Sequence, residues 1–147
     1  MSVAEASFTP EQQEQIVASI REAEKHTSGE IRLFIENKCK EDVLDRAAFI
    51  FKKLKMHETA ERNGVLIYLA LASRKFAVIG DSGIHSKVQK DFWHVVKTEM
   101  QLHFMKGDFV TGLAKGAALI GQTLHKNFPY RKDDKNELPD DIVFGKD

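Results

Sequence analysis

The sequence predicts an α/β fold: a three-layer α/β/α sandwich whose small mixed sheet is covered by helices on both faces. Three observations carry this. Helical and strand patterns follow one another as α-β-α-β-β-α-α along the 147 residues. The first two strands are joined through a helix, which calls for a parallel, right-handed crossover. The run "GVLIYLALA" at 64–72 is apolar on both faces, as a central strand sheltered on each side must be.

The elements can be justified in order. Thr9 is placed as the cap of a first helix running to about His26, with Pro10 at its first position, Gln12 completing a capping box, and Ile16, Ile20 and Ala23 at helical spacing. Gly29 marks the exit from that helix. "EIRLFIE" then alternates Ile31, Leu33 and Ile35 against Arg32, Phe34 and Glu36, a strand with one fully apolar face. Val43, Ala47, Ile50 and Leu54 form the stripe of a second helix. "KFAVIG" follows the central strand after a connection as short as Ser73-Arg74, so the two pair as an antiparallel hairpin. A third helix is expected from about His85 to His103. A fourth starts with Asp108 as cap, carries Phe109, Leu113, Ala117, Ile120 and Leu124 on one face, and stops at Pro129. One domain is expected over 1–147, with a core at about 10–128 and a charged extension at 129–147, in which Ile142, Val143 and Phe144 are apolar enough to dock as a short edge strand.

Composition narrows the function classes. Lys and Arg together number 22, as do Asp and Glu, so the formal net charge is zero and nothing points to nucleic acid or an anionic membrane as partner. No stretch is apolar enough for membrane insertion. The single cysteine, Cys39, excludes a disulfide framework and suits a reducing compartment. With no basic leader at the N-terminus, a cytoplasmic location is expected. There is no G-x-S-x-G, Walker loop or G-x-G-x-x-G. Gly112 and Gly116 read as close helix packing. Phe92, Trp93, Phe104 and Phe109 read as core, and Lys38 and Lys40 as a solvated turn. Cys39 between those lysines has no evident base to make it a catalytic thiol.

Chain direction selects the candidate site. An antiparallel hairpin brings the start of the second strand and the end of the third to one rim, and the first strand, parallel to the second, begins there too. Ser28, Gly29, Glu30, His57, Glu58, Glu61, Asn63, Asp81, Ser82 and His85 are therefore expected to converge, while Cys39, Glu41, Asp42, Ser73 and Asp108 belong to the opposite rim. An oxygen-rich acidic cluster suits a hard cation, calcium or magnesium, one or two ions. Glu30, Glu61, Asn63 and Asp81 are the expected ligands, with His57, Glu58, Ser82 and His85 around them and Gly80 and Gly83 giving the loops freedom to bend. The plainer reading is that Asp81 caps a turn and Glu61 is a solvated loop charge. His57 and His85 lack the spacing of a zinc motif.

At "TSGEIRLFIE", "KMHETAERNGVLIYLAL", "RKFAVIGDSGIH" and "GDFVTGLAKGAALIG" the chain resembles the TPM domain family, over about residues 10 to 128. The shared motifs are Ser28-Gly29-Glu30, Arg62-Asn63-Gly64-Val65-Leu66, and Gly80-Asp81 with Gly83-Ile84. The resemblance implies an α/β/α sandwich, binding of calcium or related divalent ions in some members, a weak acid phosphatase activity in a plant member, and assistance to membrane-protein complexes in others. Carried onto this chain, Glu30, Asn63 and Asp81 would hold metal. Many relatives have a signal peptide, membrane anchor or low-complexity tail, and this chain shows none. Three functions follow as expectations: a divalent-metal-binding module that engages a protein partner, a weak metal-dependent phosphatase with His57 or Arg62 as base or clamp, or a purely structural interaction domain.

Overall fold

The computed structural model describes residues 1–130 and 140–146. Its elements are α1 (Val3–Ala6), α2 (Pro10–Glu24), β1 (Glu30–Glu36), α3 (Val43–Lys53), β2 (Gly64–Ala70), β3 (Lys75–Gly80), α4 (Ser82–His85), α5 (Lys90–Phe104), α6 (Phe109–Asn127) and β4 (Ile142–Phe144). The expected order is present, with two short helices added. The third helix differs from expectation: the chain makes one turn, α4, and only then starts α5, five residues later than predicted. The helix from Pro10 ends at Glu24, not His26. Of the charged extension, residues 131–139 and 147 lie outside the described residues.

The sheet order is β3-β2-β1-β4. β1 and β2 are parallel from Glu30↔Gly64 to Glu36↔Ala70, and β2 and β3 antiparallel from Val65↔Gly80 to Ala70↔Lys75. β4 adds to the free edge of β1 in parallel, Leu33↔Ile142 to Ile35↔Phe144. The hairpin closes through a turn in which Arg74 takes a positive φ of 53° and its N–H reaches the Leu71 carbonyl at 3.2 Å, so a non-glycine residue does the work of a primed turn.

Alternation along the strands sorts side chains into two cores. Ile31, Leu33, Ile35, Val65, Ile67, Leu69 and Val78 face α2, α5 and α6 through Ile16, Ile20, Val96, Met100, Leu113, Ile120 and Leu124. Phe34, Leu66, Tyr68, Ala70 and Ala77 face the other way, against Ala47 and Ile50 of α3 and against Met56. Both faces of β1 are thus covered, as a sheet with helices on each side requires, and Glu36 is only 3 % exposed. Each large aliphatic side chain fully buried this way contributes on the order of 1.5–3 kcal/mol.

Asp108 accepts the Thr111 N–H at 3.1 Å and caps α6, and the Thr9/Gln12 box caps α2. Gly112 and Gly116 let α5 close on α6, where a Cβ would meet Phe104 and Met100. Gly121 does the same for α2, but the obstacle is backbone: an added Cβ would lie 2.7 Å from the Ala23 carbonyl oxygen.

Where α2 ends, the Glu24 carboxyl accepts the Ile31 N–H at 2.6 Å and hydrogen-bonds the Asp140 carboxyl just before β4. Two carboxyls can share a bond only if one keeps its proton. Burial first, then Asp140 and the nearby charge of Glu30, push Glu24 up to about 10, against the backbone N–H that favours its ionised form. Because this folded-state value lies above the unfolded one, the contribution to stability is complete below pH ~4.3 and is lost as pH rises towards the folded value.

Two outcomes follow. Gly121→Ala should destabilise the fold by about 1–3 kcal/mol in urea denaturation, and Gly116→Ala by less, because the Met100 side chain can yield where Ala23 backbone cannot. In buffer with a chelator, Glu24→Gln should raise the urea midpoint at pH 8 relative to the unsubstituted chain, with the gain shrinking towards pH 4. An equal gain at both pH values would contradict the protonated carboxyl.

Candidate functional site

The strand polarity expected from the sequence is realised. The Asp81 N–H donates to the Gly64 carbonyl at 2.9 Å, the Gly83 N–H to the Arg62 carbonyl at 2.9 Å, and the Glu30 N–H to the Asn63 carbonyl at 3.3 Å. These bonds tie the entries of β1 and β2 and the exit of β3 into one rim. Glu30, Asn63 and Asp81 are 2 %, 1 % and 7 % exposed there.

Two hydrogen-bonded groups occupy it. In the first, Arg62 donates a fork to Asp81, Nε to Oδ2 at 2.7 Å and Nη2 to Oδ1 at 2.8 Å. Asp81 Oδ1 also accepts the Ser82 N–H at 2.7 Å and caps α4. The cap predicted for Asp81 is therefore present. The guanidinium beside it is pushed still further above its usual range by that bond and charge. Arg62 holds a positive φ of 53°, a backbone state that non-glycine residues take at a cost.

In the second group, the Ser28 hydroxyl donates to Glu61 Oε2 at 2.7 Å and accepts from Asn63 Nδ2 at 3.4 Å. Since Ser28 spends its single proton on Glu61, it can only accept from Asn63. That fixes the amide orientation and turns Asn63 Oδ1 elsewhere. Among the described residues, Asn63 Oδ1 is buried without a hydrogen-bond partner. The Asn63 backbone N–H is held by Thr59 Oγ1 at 3.2 Å.

Other expected members stay outside. His57 and Glu58 lie 3.7 Å apart, paired with each other and 40 % and 57 % exposed at their side chains. Ser82 is exposed and contributes its backbone N–H to Asp81. His85 is exposed with its ring tilted against Trp93 at 5.9 Å. The two glycines provide proximity where bending was expected: a Cβ on Gly83 would lie 2.2 Å from the Glu61 carbonyl oxygen, and one on Gly80 2.8 Å from the Trp93 ring. Both keep an ordinary negative-φ backbone. Among the described residues no three His, Cys, Asp or Glu side chains are grouped as a metal site. The oxygen donors Glu61 and Asn63 are bridged by Ser28, while Asp81 is taken by Arg62.

The Arg62 fork, the Thr59 clamp and the buried Glu24 were missed in the sequence. Arg62 was the most accessible of these, because a charged residue entering one strand of a hairpin faces the residue leaving the other. At the opposite rim, the Cys39 N–H bonds Ser73 Oγ at 2.8 Å, and Asp42 caps α3 through the N–H groups of Leu44 and Asp45.

A family model described as TPM domain matches residues 2–123. A search of curated proteins returns no match. Among solved structures, the chain is similar to the BA42 protein of the psychrophilic bacterium Bizionia argentinensis, at 46 % identity and a TM-score of 0.89, covering 94 % of this chain and 95 % of that one. The N-terminal domain of a protein from P. gingivalis matches at 18 % identity and a TM-score of 0.67, covering 82 % and 78 %. That of the cg2496 protein from Corynebacterium glutamicum matches at 9 % and 0.65, covering 94 % and 81 %. These last two speak to the fold alone. With the family motifs seated on the rim just described and the family model spanning most of its length, the chain belongs to the TPM domain family.

Proposed function

We propose that the rim formed by Glu30, Glu61, Asn63 and Asp81 binds a divalent cation, calcium or magnesium, and that the loops it orders engage a protein partner. The observation that supports this reading is Asn63 Oδ1, a carbonyl-type oxygen that is buried and unpartnered beside the Ser28–Glu61 pair. An unmet buried acceptor costs on the order of 1–3 kcal/mol, which a hard cation with oxygen ligands would offset. In the metal-free chain Arg62 supplies the positive charge at Asp81. Its side chain is 50 % exposed, so the fork can open into solvent when an ion takes Asp81. Competition of this kind implies modest affinity. A phosphatase would also need a base at the rim, and His57 lies outside it, paired with Glu58; cation binding without hydrolysis is the reading favoured. No helix among the described residues is long and apolar enough to cross a membrane. A cytoplasmic setting fits the lone Cys39.

Thermal melts with calcium, magnesium and then a chelator test this. A ligand that binds only the folded chain stabilises it by about 2.7 kcal/mol at a hundredfold excess over its Kd. Asp81→Asn should remove most of that shift, and Arg62→Gln should tighten binding by freeing the carboxylate. Amide signals at 28–30, 59–64 and 80–84 should move together on titration. An unchanged midpoint and unmoved amides at millimolar calcium and magnesium would overturn the reading.

A further inference from the structure

We propose that the crevice at the carboxyl ends of β1 and β4, remote from the acidic rim, binds a small organic anion: a phosphate or carboxylate group carried on an apolar body. In open α/β sheets the crevice outside the carboxyl ends of the strands is where ligands bind. Here it encloses about 430 Å³, within the range of small-molecule sites. Phe34, Leu54 and Val143 give it an apolar floor.

Its rim is cationic in a chain whose formal charges cancel. Lys38 and Lys40 come from the β1–α3 loop, Lys53 from the end of α3, and Lys146 from the segment after β4. Gly145 brings that last segment in: its Cα packs so closely on Glu36 that a Cβ would lie 2.7 Å from the Glu36 Cβ.

The two carboxylates present leave this field largely unopposed. Glu36 is buried and already accepts Arg46 Nε and Nη2, each at 2.9 Å, and the Tyr68 hydroxyl. Burial alone would raise its pKa; Arg46 and Tyr68, with the charge of Lys53, bring it below the ordinary value, so it stays an anion matched chiefly by Arg46. Arg46 Nη1 lies 3.9 Å from Glu41 Oε1, beyond hydrogen-bond reach, that Glu41 side chain is 55 % exposed, and the guanidinium sits over the Phe49 ring at 5.5 Å. A guanidinium fixed by Glu36, with Nη1 outside that fork and facing only the exposed Glu41 at 3.9 Å among the described residues, is oriented for an incoming anion. Three lysines and Lys146 surround it.

The test is an amide chemical-shift titration of the full chain in a chelator-containing buffer at low ionic strength, which silences the metal rim. Phenyl phosphate and benzoate are the two anionic probes, with benzyl alcohol as the neutral control. Saturable shifts confined to 38–41, 53–54 and 143–146 are expected with at least one anion and not with the alcohol, weakening as salt is added. The arm that binds identifies the head group. Lys38→Gln with Lys53→Gln, both exposed residues, should weaken binding roughly tenfold, at about threefold for each exposed cation. Arg46 is left in place because it holds Glu36. Shifts that fail to saturate, that spread to Lys97 and Lys115 on α5 and α6, or an affinity equal in the double variant would overturn the proposal.

Discussion

The arrangement rests on strand polarity around β2. This strand is buried along its whole length, and it can satisfy its backbone only by pairing on both edges, parallel with β1 and antiparallel with β3. That combination decides which loops meet. The starts of β1 and β2 and the exit of β3 share one rim, while the ends of β1, β2 and β4 lie at the other. Reversing any one strand would carry Asp81 or Glu30 to the far side and separate the groups that now touch. Chemistry at each rim is therefore a consequence of hydrogen-bonding direction before it is a matter of side chains.

Much of the frame was legible because local signals agreed with the global arrangement. The capping box at Thr9 and Gln12, the cap at Asp108, and the two-sided apolar run at 64–70 are patterns within a few residues of one another. The short strand at Ile142–Phe144 was readable from apolarity alone, since three such residues in a charged tail must find cover. What the alternation did not show is how a polar residue of this strand is paired. Glu36 is polar and buried because Arg46 and Tyr68, ten and thirty-two residues away, surround it. No window of sequence contains that information.

The rim was read at the same resolution. Topology brought Glu30, Asn63 and Asp81 together correctly, since it needs only direction and register. It could not say which side chains turn inward. His57 and Glu58 lie in the same loop as Glu61 yet pair with each other outside, and Gly83 serves as a contact surface for the Glu61 and Arg62 backbone. Such choices depend on a few ångströms of packing, which spacing does not encode.

Four carboxylates, Glu24, Glu36, Glu61 and Asp81, are compensated differently, and the differences set what each rim can do. Glu36 is met by a guanidinium and a phenol, a complete set that leaves only the outer nitrogen of Arg46 for other work. Glu24 keeps its proton and so needs no cation. Asp81 has an arginine that is half in solvent and can leave. Glu61 accepts the Ser28 hydroxyl, which orients it. A charge taken from water must be matched or neutralised. By that measure the pair at Glu36 is closed, whereas the rim combines a half-exposed counter-charge at Asp81 with the unmet oxygen of Asn63. An acidic rim with exchangeable compensation and a basic crevice with fixed compensation are thus built from the same residue types. What separates them is whether the counter-charge is buried with its partner or left in reach of water.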